Sequence, residues 1–155
     1  MSAAIVAVIG TLLGAIVAGA FQHTITGRAE RAATAEQLRR DRLDAVTTLA
    51  AAGSDHRRAL WMRGEARIRG ESDARLEELR VASHITRSAI TRPLIAVRIL
   101  IPDPQVRAAA QAMVVAAYDM LDAEPNIVAL EAAQDAARSA HDRFVDAATA
   151  YLTGP

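Results

Sequence analysis

The sequence predicts an all-α protein: a single N-terminal transmembrane helix followed by an elongated antiparallel bundle of about four helices. The first 27 residues contain no charged side chain, whereas apolar residues later recur at three- and four-residue steps. Gly and Pro signals divide that later part into helical lengths, and no stretch alternates long enough to predict a sheet. A chain of 155 residues accommodates an anchor at residues 1–27 and one domain at residues 28–155.

The predicted anchor is the apolar run at residues 3–21. At 1.5 Å per residue it is about 28 Å long, which matches the roughly 30 Å hydrocarbon core of a bilayer. Arginines follow this run and none precedes it, so the positive-inside rule predicts an outer N-terminus and a cytoplasmic C-terminal domain at the cell membrane. Residues 18–20 also fit a signal-peptidase site, so an exported helical protein after signal cleavage is an alternative.

Small residues line one side of this segment at Gly10, Gly14 and Ala18. Small side chains allow two helices to approach closely in lipid, where packing drives association. The spacing therefore indicates helix pairing in the membrane and a homo-oligomer.

The first helix of the domain is predicted over residues 28–69, with Leu38, Leu43, Val46, Leu49 and Leu60 facing inward. Gly53 and Gly64 are possible kinks. Gly70 and Ser72 have the residue types of a helix C-terminus followed by a new N-cap.

A second helix is predicted from Asp73, with either Ile85 or Ser83 on its inner face. Pro93 leaves two interpretations of residues 94–101, a kinked helix or a short strand. We favour the helix because a lone strand would have no partner.

Two further helices are predicted, one from Pro104 to about Ala123 and one from about Asn126 to Leu152. Asp103 is a good N-cap with Pro104 at the first helical position, and Asn126 is a second N-cap. Short connections between the helices imply antiparallel neighbours.

Catalytic and metal-binding patterns are absent from the sequence. There is no Cys, no His-Glu-x-x-His, no Gly-x-Ser-x-Gly and no phosphate-binding glycine loop. We therefore expect a non-enzymatic protein without a cofactor or metal.

A basic stretch around the first turn is the sharpest local signal in the domain, and Trp61 lies within it. Acidic residues interleave with its arginines, and aromatic residues that could stack on bases are few. This pattern favours a solvated face, paired with the acidic C-terminal segment, over direct nucleic-acid binding. A membrane-tethered nucleic-acid-binding module stays the alternative. The candidate contacts for a partner or a phosphate are Arg57, Arg58, Trp61, Arg63, Arg67 and Arg69.

Trp61 itself has two interpretations, a core side chain or an anchor for a partner protein, since Trp and Arg are favoured in interface hot spots.

Three segments together resemble a known family, and the resemblance covers nearly the whole chain. They are MSAAIVAVIGTLLGAIVAGAFQ, RAERAATAEQLRRDRLDAVTTLAAAGSDHRRALWMRGEAR and SAITRPLIAVRILIPDPQVRAAAQAM. They resemble the KilB-like small membrane proteins of mycelial high-GC bacteria, which are associated with plasmid spread. The resemblance implies a membrane-anchored accessory of conjugative spread that acts beside a septal DNA translocase, and it supplies no catalytic residues.

Overall fold

A computed structural model describes the backbone of residues 2–121 and 126–154 and the side chains of residues 30–121 and 126–154. These residues form four α-helices and no strand: α1 (Ser2–Ile68), α2 (Asp73–Leu100), α3 (Pro104–Asp119) and α4 (Ile127–Thr153). The all-α prediction is confirmed. The chain divides into two compact units, Met1–Arg39 and Arg40–Pro155, and the second contains all of α2, α3 and α4.

The α1–α2 connection is a Schellman turn. Gly70 has φ +67°, its amide donates to the carbonyl of Arg67 at 3.2 Å, and the Glu71 amide donates to the carbonyl of Ala66 at 3.1 Å. The side chain of Ser72 then accepts a hydrogen bond from an amide of the first turn of α2. The sequence predicted both the left-handed glycine and the cap.

The N-caps of α3 and α4 also form as predicted. One carboxylate oxygen of Asp103 accepts from the amides of Gln105 and Val106 at 2.8 and 2.9 Å, with Pro104 as the first helical residue. Asn126 accepts from an amide of the first turn of α4 at 2.8 Å. These caps bond amide groups that have no partner inside their own helices.

The segment after Pro93 is helical, because α2 continues to Leu100, and the strand alternative for residues 94–101 is wrong. Two arginines bond the carbonyl groups at this end. Nε of Arg42 donates to the Leu100 carbonyl at 2.9 Å, and Nε of Arg107 donates to the carbonyl of the next residue at 2.6 Å.

Contacts between the helices show the direction of packing within the unit Arg40–Pro155. His56 of α1 contacts Thr86 of α2, whereas Arg63 reaches Ser83, so the residue number rises along α1 as it falls along α2. The two helices are therefore antiparallel. The contacts with the same reversal between α1 and α4 are Ser54 with His141 and Gly64 with Leu130.

Two apolar clusters form the core of this unit. The large cluster draws on all four helices, and the small cluster on α1, α4 and the residue that caps α3. The large cluster comprises Ala45, Val46, Leu49, Ile90, Val97, Ile101, Val106, Ala110, Met113, Val114, Phe144 and Ala148. The small cluster comprises Leu60, Met120, Leu130 and Ala137.

Gly53 and Gly64 allow neighbouring helices to approach α1 closely, and α1 stays helical through both. A Cβ at Gly64 would lie 2.8 Å from Cδ1 of Leu130, and one at Gly53 would lie 3.1 Å from Cε of Met113. The two glycines admit larger side chains from the facing helices.

Two predicted inward positions of α1 are wrong, because Leu38 and Leu43 are 37% and 52% exposed. Of the two alternatives in α2, the one with Ser83 on the inner face is confirmed: Ser83 is 3% exposed and Ile85 is 66% exposed. The end of α3 also differs: the helix stops at Asp119, before the predicted end near residue 123.

The predicted membrane anchor, residues 1–27, lies outside the side chains that the structure describes. Among the residues that are described, no helical stretch has the length and apolar character needed to cross a bilayer.

Candidate interaction site

The structure distributes five of the six predicted contact residues over different sides of the last part of α1 and places the sixth, Arg69, directly after the end of this helix. We call these six the turn residues: Arg57, Arg58, Trp61, Arg63, Arg67 and Arg69. Arg58, Arg67 and Arg69 are exposed, and the other three are half-buried.

Arg57 and Arg58 are the turn residues that remain available. Neither forms an ion pair or a side-chain hydrogen bond with the part of the chain whose side chains are described. A cation without an intramolecular partner can bind an external anion without breaking an existing ion pair. These two side chains are therefore the strongest part of the predicted contact set.

Arg63 is directed towards α2. Its Nη1 donates to the hydroxyl of buried Ser83 at 3.4 Å. Both Arg63 and Arg67 also line a small cleft of about 210 Å³ whose other charged groups are Asp73, Glu77 and Arg80. Because two carboxylates share this cleft with three arginines, its excess of positive charge is small.

Ion pairs within single helices consume much of the remaining basic charge. Arg69, directly after the end of α1, forms an ion pair with Glu65 at 2.6 Å. Within α2, Arg80 pairs with Glu77 at 2.6 Å and Arg75 pairs with Glu78 at 2.9 Å. A hydrogen bond from Arg80 lowers the pKa of Glu77, and the same bond raises the pKa of Arg80. The expected solvated face is therefore built largely from local i,i+3 and i,i+4 pairs.

Trp61 is half-buried and packs against the small cluster. Its indole therefore contributes to the core and also reaches the surface, so the two interpretations of this residue are compatible. Its neighbour Met62 is 42% exposed. An aromatic ring at such a boundary can serve as the apolar centre of a protein contact.

The most unusual polar group in the unit is His56, which no motif in the sequence singles out. It is 1% exposed, and its Nδ1 lies 2.9 Å from Oγ1 of Thr86. That hydroxyl donates its only hydrogen to the Ser83 carbonyl at 3.0 Å, so it must accept from His56. Nδ1 therefore carries the proton, and Nε2 is a buried acceptor with no partner among the described residues.

Burial lowers the pKa of His56 to about 4, and the positive charge of Arg87 acts in the same direction. The imidazole meets the ring of Tyr118 edge-on at 5.5 Å between centroids, and the Arg87 guanidinium lies 4.5 Å from the centroid of that ring. At neutral pH His56 is therefore uncharged.

A second histidine joins α1 to α4 through Ser54, two residues before His56 in α1. Nε2 of His141 lies 3.2 Å from the hydroxyl of Ser54. We call His56, Thr86, Ser54 and His141 the polar layer. Along α1 this layer falls between Leu49 of the large cluster and Leu60 of the small one. Across the described side chains, no three His, Asp or Glu residues group closely enough to bind a metal ion.

Comparison with known proteins decides the family. The model of the KilB plasmid transfer protein family matches residues 43–152, which include every turn residue and the polar layer. The chain belongs to the KilB family. A curated relative, Protein KilB from Streptomyces lividans, is 43% identical over 149 residues, which is 96% of each chain. No solved structure matches the chain.

The KilB match and the similarity to the Streptomyces protein differ in extent. The family model begins after the predicted anchor, whereas an alignment over 96% of the chain must include most of residues 1–27. The relative therefore aligns with much of the segment that carries Gly10, Gly14 and Ala18. These three residues themselves lie outside the described side chains.

Proposed function

We propose that the chain is a non-enzymatic, single-pass membrane protein that acts as an accessory of conjugative plasmid spread. Residues 1–27 anchor it with the N-terminus outside, and the helical unit that follows is a cytoplasmic interaction domain. Membership of the KilB plasmid transfer family carries this proposal. The uncharged apolar run before a series of arginines supports the membrane part.

The partner that the family resemblance favours is a septal DNA translocase or another protein of plasmid spread. The turn residues offer the contact: Arg57 and Arg58 have no ion pair among the described side chains, and Trp61 supplies an adjacent aromatic surface. Arg and Trp are enriched at the energetic centres of protein interfaces. Pairing of the anchor through Gly10, Gly14 and Ala18 would present several such surfaces together.

The absence of native cysteines makes the membrane topology directly testable. We expect Ser2→Cys to react with a membrane-impermeant maleimide in intact cells, and Thr153→Cys to react only after permeabilisation. We also expect the full chain to stay with membranes during alkaline extraction. A mature N-terminus at Phe21 would instead establish the exported alternative, and labelling of both positions in intact cells would contradict a cytoplasmic domain.

The contact surface is tested by charge reversal. We expect Arg57→Glu with Arg58→Glu to reduce plasmid spread through the mycelium while protein level and membrane fraction stay unchanged. Arg98→Glu with Arg143→Glu is the matched control, because both arginines are exposed and form no ion pair with the described side chains. If plasmid spread is equal in the two double variants, Arg57 and Arg58 do not form the contact with the partner.

Direct DNA binding is distinguished by its salt dependence. Phosphate contacts made by Arg57, Arg58 and Arg63 would give an affinity that falls steeply with added salt and disappears when all three are Ala. We expect no such binding at low salt.

A further inference from the structure

Four side chains on the outside of α1 form one continuous patch near the end of this helix. We call Arg57, Arg58, Trp61 and Met62 the α1 patch. Side chains three or four positions apart on a helix are neighbours, so Trp61 lies next to both arginines and Met62 lies next to Arg58. Arg58 and Met62 are exposed, whereas Arg57 and Trp61 are half-buried. Two cations therefore border an apolar centre that reaches the surface.

The order of these side chains around α1 follows from the helical pitch. At about 100° per residue, Trp61 lies about 40° from Arg57 and about 60° from Arg58 in the opposite sense, so the indole lies between the two arginines. A single carboxylate would have to bridge both guanidinium groups over the indole. Two acidic groups, one on each side of an apolar residue, match this order better.

Both arginines of the α1 patch can bind an external acceptor. Neither forms an ion pair with the part of the chain whose side chains are described. The arginine–aromatic contacts among these side chains involve the two tyrosines and not Trp61, so neither guanidinium covers the indole. An anionic partner would therefore displace no existing contact of either group.

We propose that the α1 patch binds a short acidic segment of a protein partner, in which two carboxylates flank a bulky aliphatic side chain. The carboxylates bind Arg57 and Arg58, and the aliphatic side chain packs between them against Trp61 and Met62. Hydrogen bonds between arginine and carboxylate are strengthened by charge, and methionine adapts its shape to irregular apolar surfaces. The inference rests on the proposed function, because it names the chemistry of the partner that these residues would contact.

Two observations favour a polypeptide over a nucleic acid at the α1 patch. Bases bind aromatic residues by stacking on the ring, and Trp61 is half-buried against the small cluster. Asp55 is one turn from Arg58, and Glu65, which pairs with Arg69, is one turn from Trp61. These acids repel a phosphate backbone, which carries a charge at every nucleotide, whereas a short segment with two carboxylates can avoid them.

The fluorescence of Trp61, the single tryptophan, reports binding at the α1 patch directly. The probe is a synthetic peptide without aromatic residues, in which two aspartates stand on each side of one leucine. It is titrated into the full chain in detergent micelles at neutral pH. We expect a saturable blue shift of the tryptophan emission, because the leucine displaces water from the indole. Added salt should weaken binding, since the ion pairs are exposed.

Two control peptides separate the contributions of charge and apolar packing. One carries asparagine in place of every aspartate, and the other carries serine in place of leucine. Each should need a several-fold higher concentration for half-saturation. Equal binding of either control peptide would contradict the proposed acidic and aliphatic chemistry.

Substitutions in the chain then locate the contact. Arg57→Gln with Arg58→Gln should weaken peptide binding several-fold. Arg98→Gln with Arg143→Gln is the matched control and should leave binding unchanged, because both side chains are exposed, form no ion pair with the described side chains and lie outside the patch. Equal binding by the two double variants, or no saturable shift with the unsubstituted chain, would overturn the inference.

Two further measurements separate this inference from nucleic-acid binding and from the proposed function. If oligothymidylate shifts the emission of Trp61 at low salt and the peptide does not, the patch binds nucleic acid and the inference is wrong. If Arg57→Glu with Arg58→Glu reduces plasmid spread but the peptide does not bind the unsubstituted chain, the proposed contact stands and the inference is wrong. If the peptide binds but spread is unchanged in that variant, the inference stands and the proposed role of the contact in plasmid spread is wrong.

Discussion

The two apolar clusters of the helical unit differ in how they fill space. The large cluster buries aromatic and branched side chains from all four helices, with Phe144 and Leu49 fully enclosed. The small cluster depends on one close approach, in which Leu130 occupies the space left by Gly64. Large side chains therefore hold one end of the unit together, whereas an absent side chain allows the helices to meet at the other.

Phe144→Ala should produce the largest loss of stability. Removing a fully buried phenylalanine costs about 3–5 kcal/mol in free energy of unfolding, because a cavity remains among several helices. The measurement is denaturant unfolding of the full chain in detergent, followed by helical circular dichroism. Leu130→Ala is the comparison in the small cluster, and we expect a smaller loss because fewer side chains surround it. An equal or larger loss there would remove the proposed difference between the clusters.

Acidification should weaken the unit at the polar layer between the clusters. The pKa of His56 is lowered from 6.5 to about 4 in the folded chain, so the unfolded chain binds more protons between these values. The contribution of uncharged His56 to the free energy of unfolding is complete above pH 6.5. It is lost as the pH falls towards 4, and the loss reaches up to about 3 kcal/mol. Unfolding measured from pH 7 to pH 5 separates this effect from most carboxylates, which titrate lower.

His56→Leu is the control for that titration. It removes the buried imidazole, while the Thr86 hydroxyl keeps its hydrogen bond to the Ser83 carbonyl. Stability of the variant should change little between pH 7 and pH 5. If the free energy of unfolding of the variant falls with pH as steeply as that of the unsubstituted chain, groups other than His56 cause the pH dependence.

Gly64→Val should produce the smallest of the three effects, about 1–3 kcal/mol, because its branched side chain must displace the end of Leu130. Fluorescence of Trp61, the single tryptophan, reports on this region. Adding Leu130→Ala to Gly64→Val should recover part of the lost free energy of unfolding, because the smaller alanine leaves room for the valine side chain. Gly53→Ala, opposite flexible Met113, is the milder control, and a larger loss there would contradict the special role of Gly64.

Much of the fold follows from local chemistry. Gly70, Ser72, Asp103 and Asn126 fix three connections through caps that depend on neighbouring backbone groups alone. Such caps can be predicted from the sequence because each residue acts within its own turn. The lack of a strand partner favours a helix that continues after Pro93 to Leu100, and the structure confirms it.

Facing directions were harder to predict where a helix carries apolar residues on two sides. In α2 both Ile85 and Ile90 are aliphatic, yet one is 66% exposed and the other is 1% exposed. Periodicity finds an apolar stripe but does not tell the core from a second surface. The inner place of Ser83 depends on Arg63 of α1, a neighbour that is known only after the helices are assembled.

The candidate site shows the same limit. Sequence spacing identified a dense group of arginines, but not which of them face α2 or pair within their own helix. Arg63 reaches Ser83, whereas Arg69 pairs with Glu65. His56 was missed as a structural group because nothing local to it predicts burial against Thr86, thirty residues away.

The polar layer has a consequence for folding specificity. Alanine contributes many buried contacts here, including Ala45, Ala110, Ala137 and Ala148, and such smooth surfaces interlock poorly. Helices that meet through alanine can slip by one turn with little loss of packing. Slippage of α1 against α4 would separate Ser54 from His141, so this hydrogen bond between the two helices discriminates the native register from its nearest competitors.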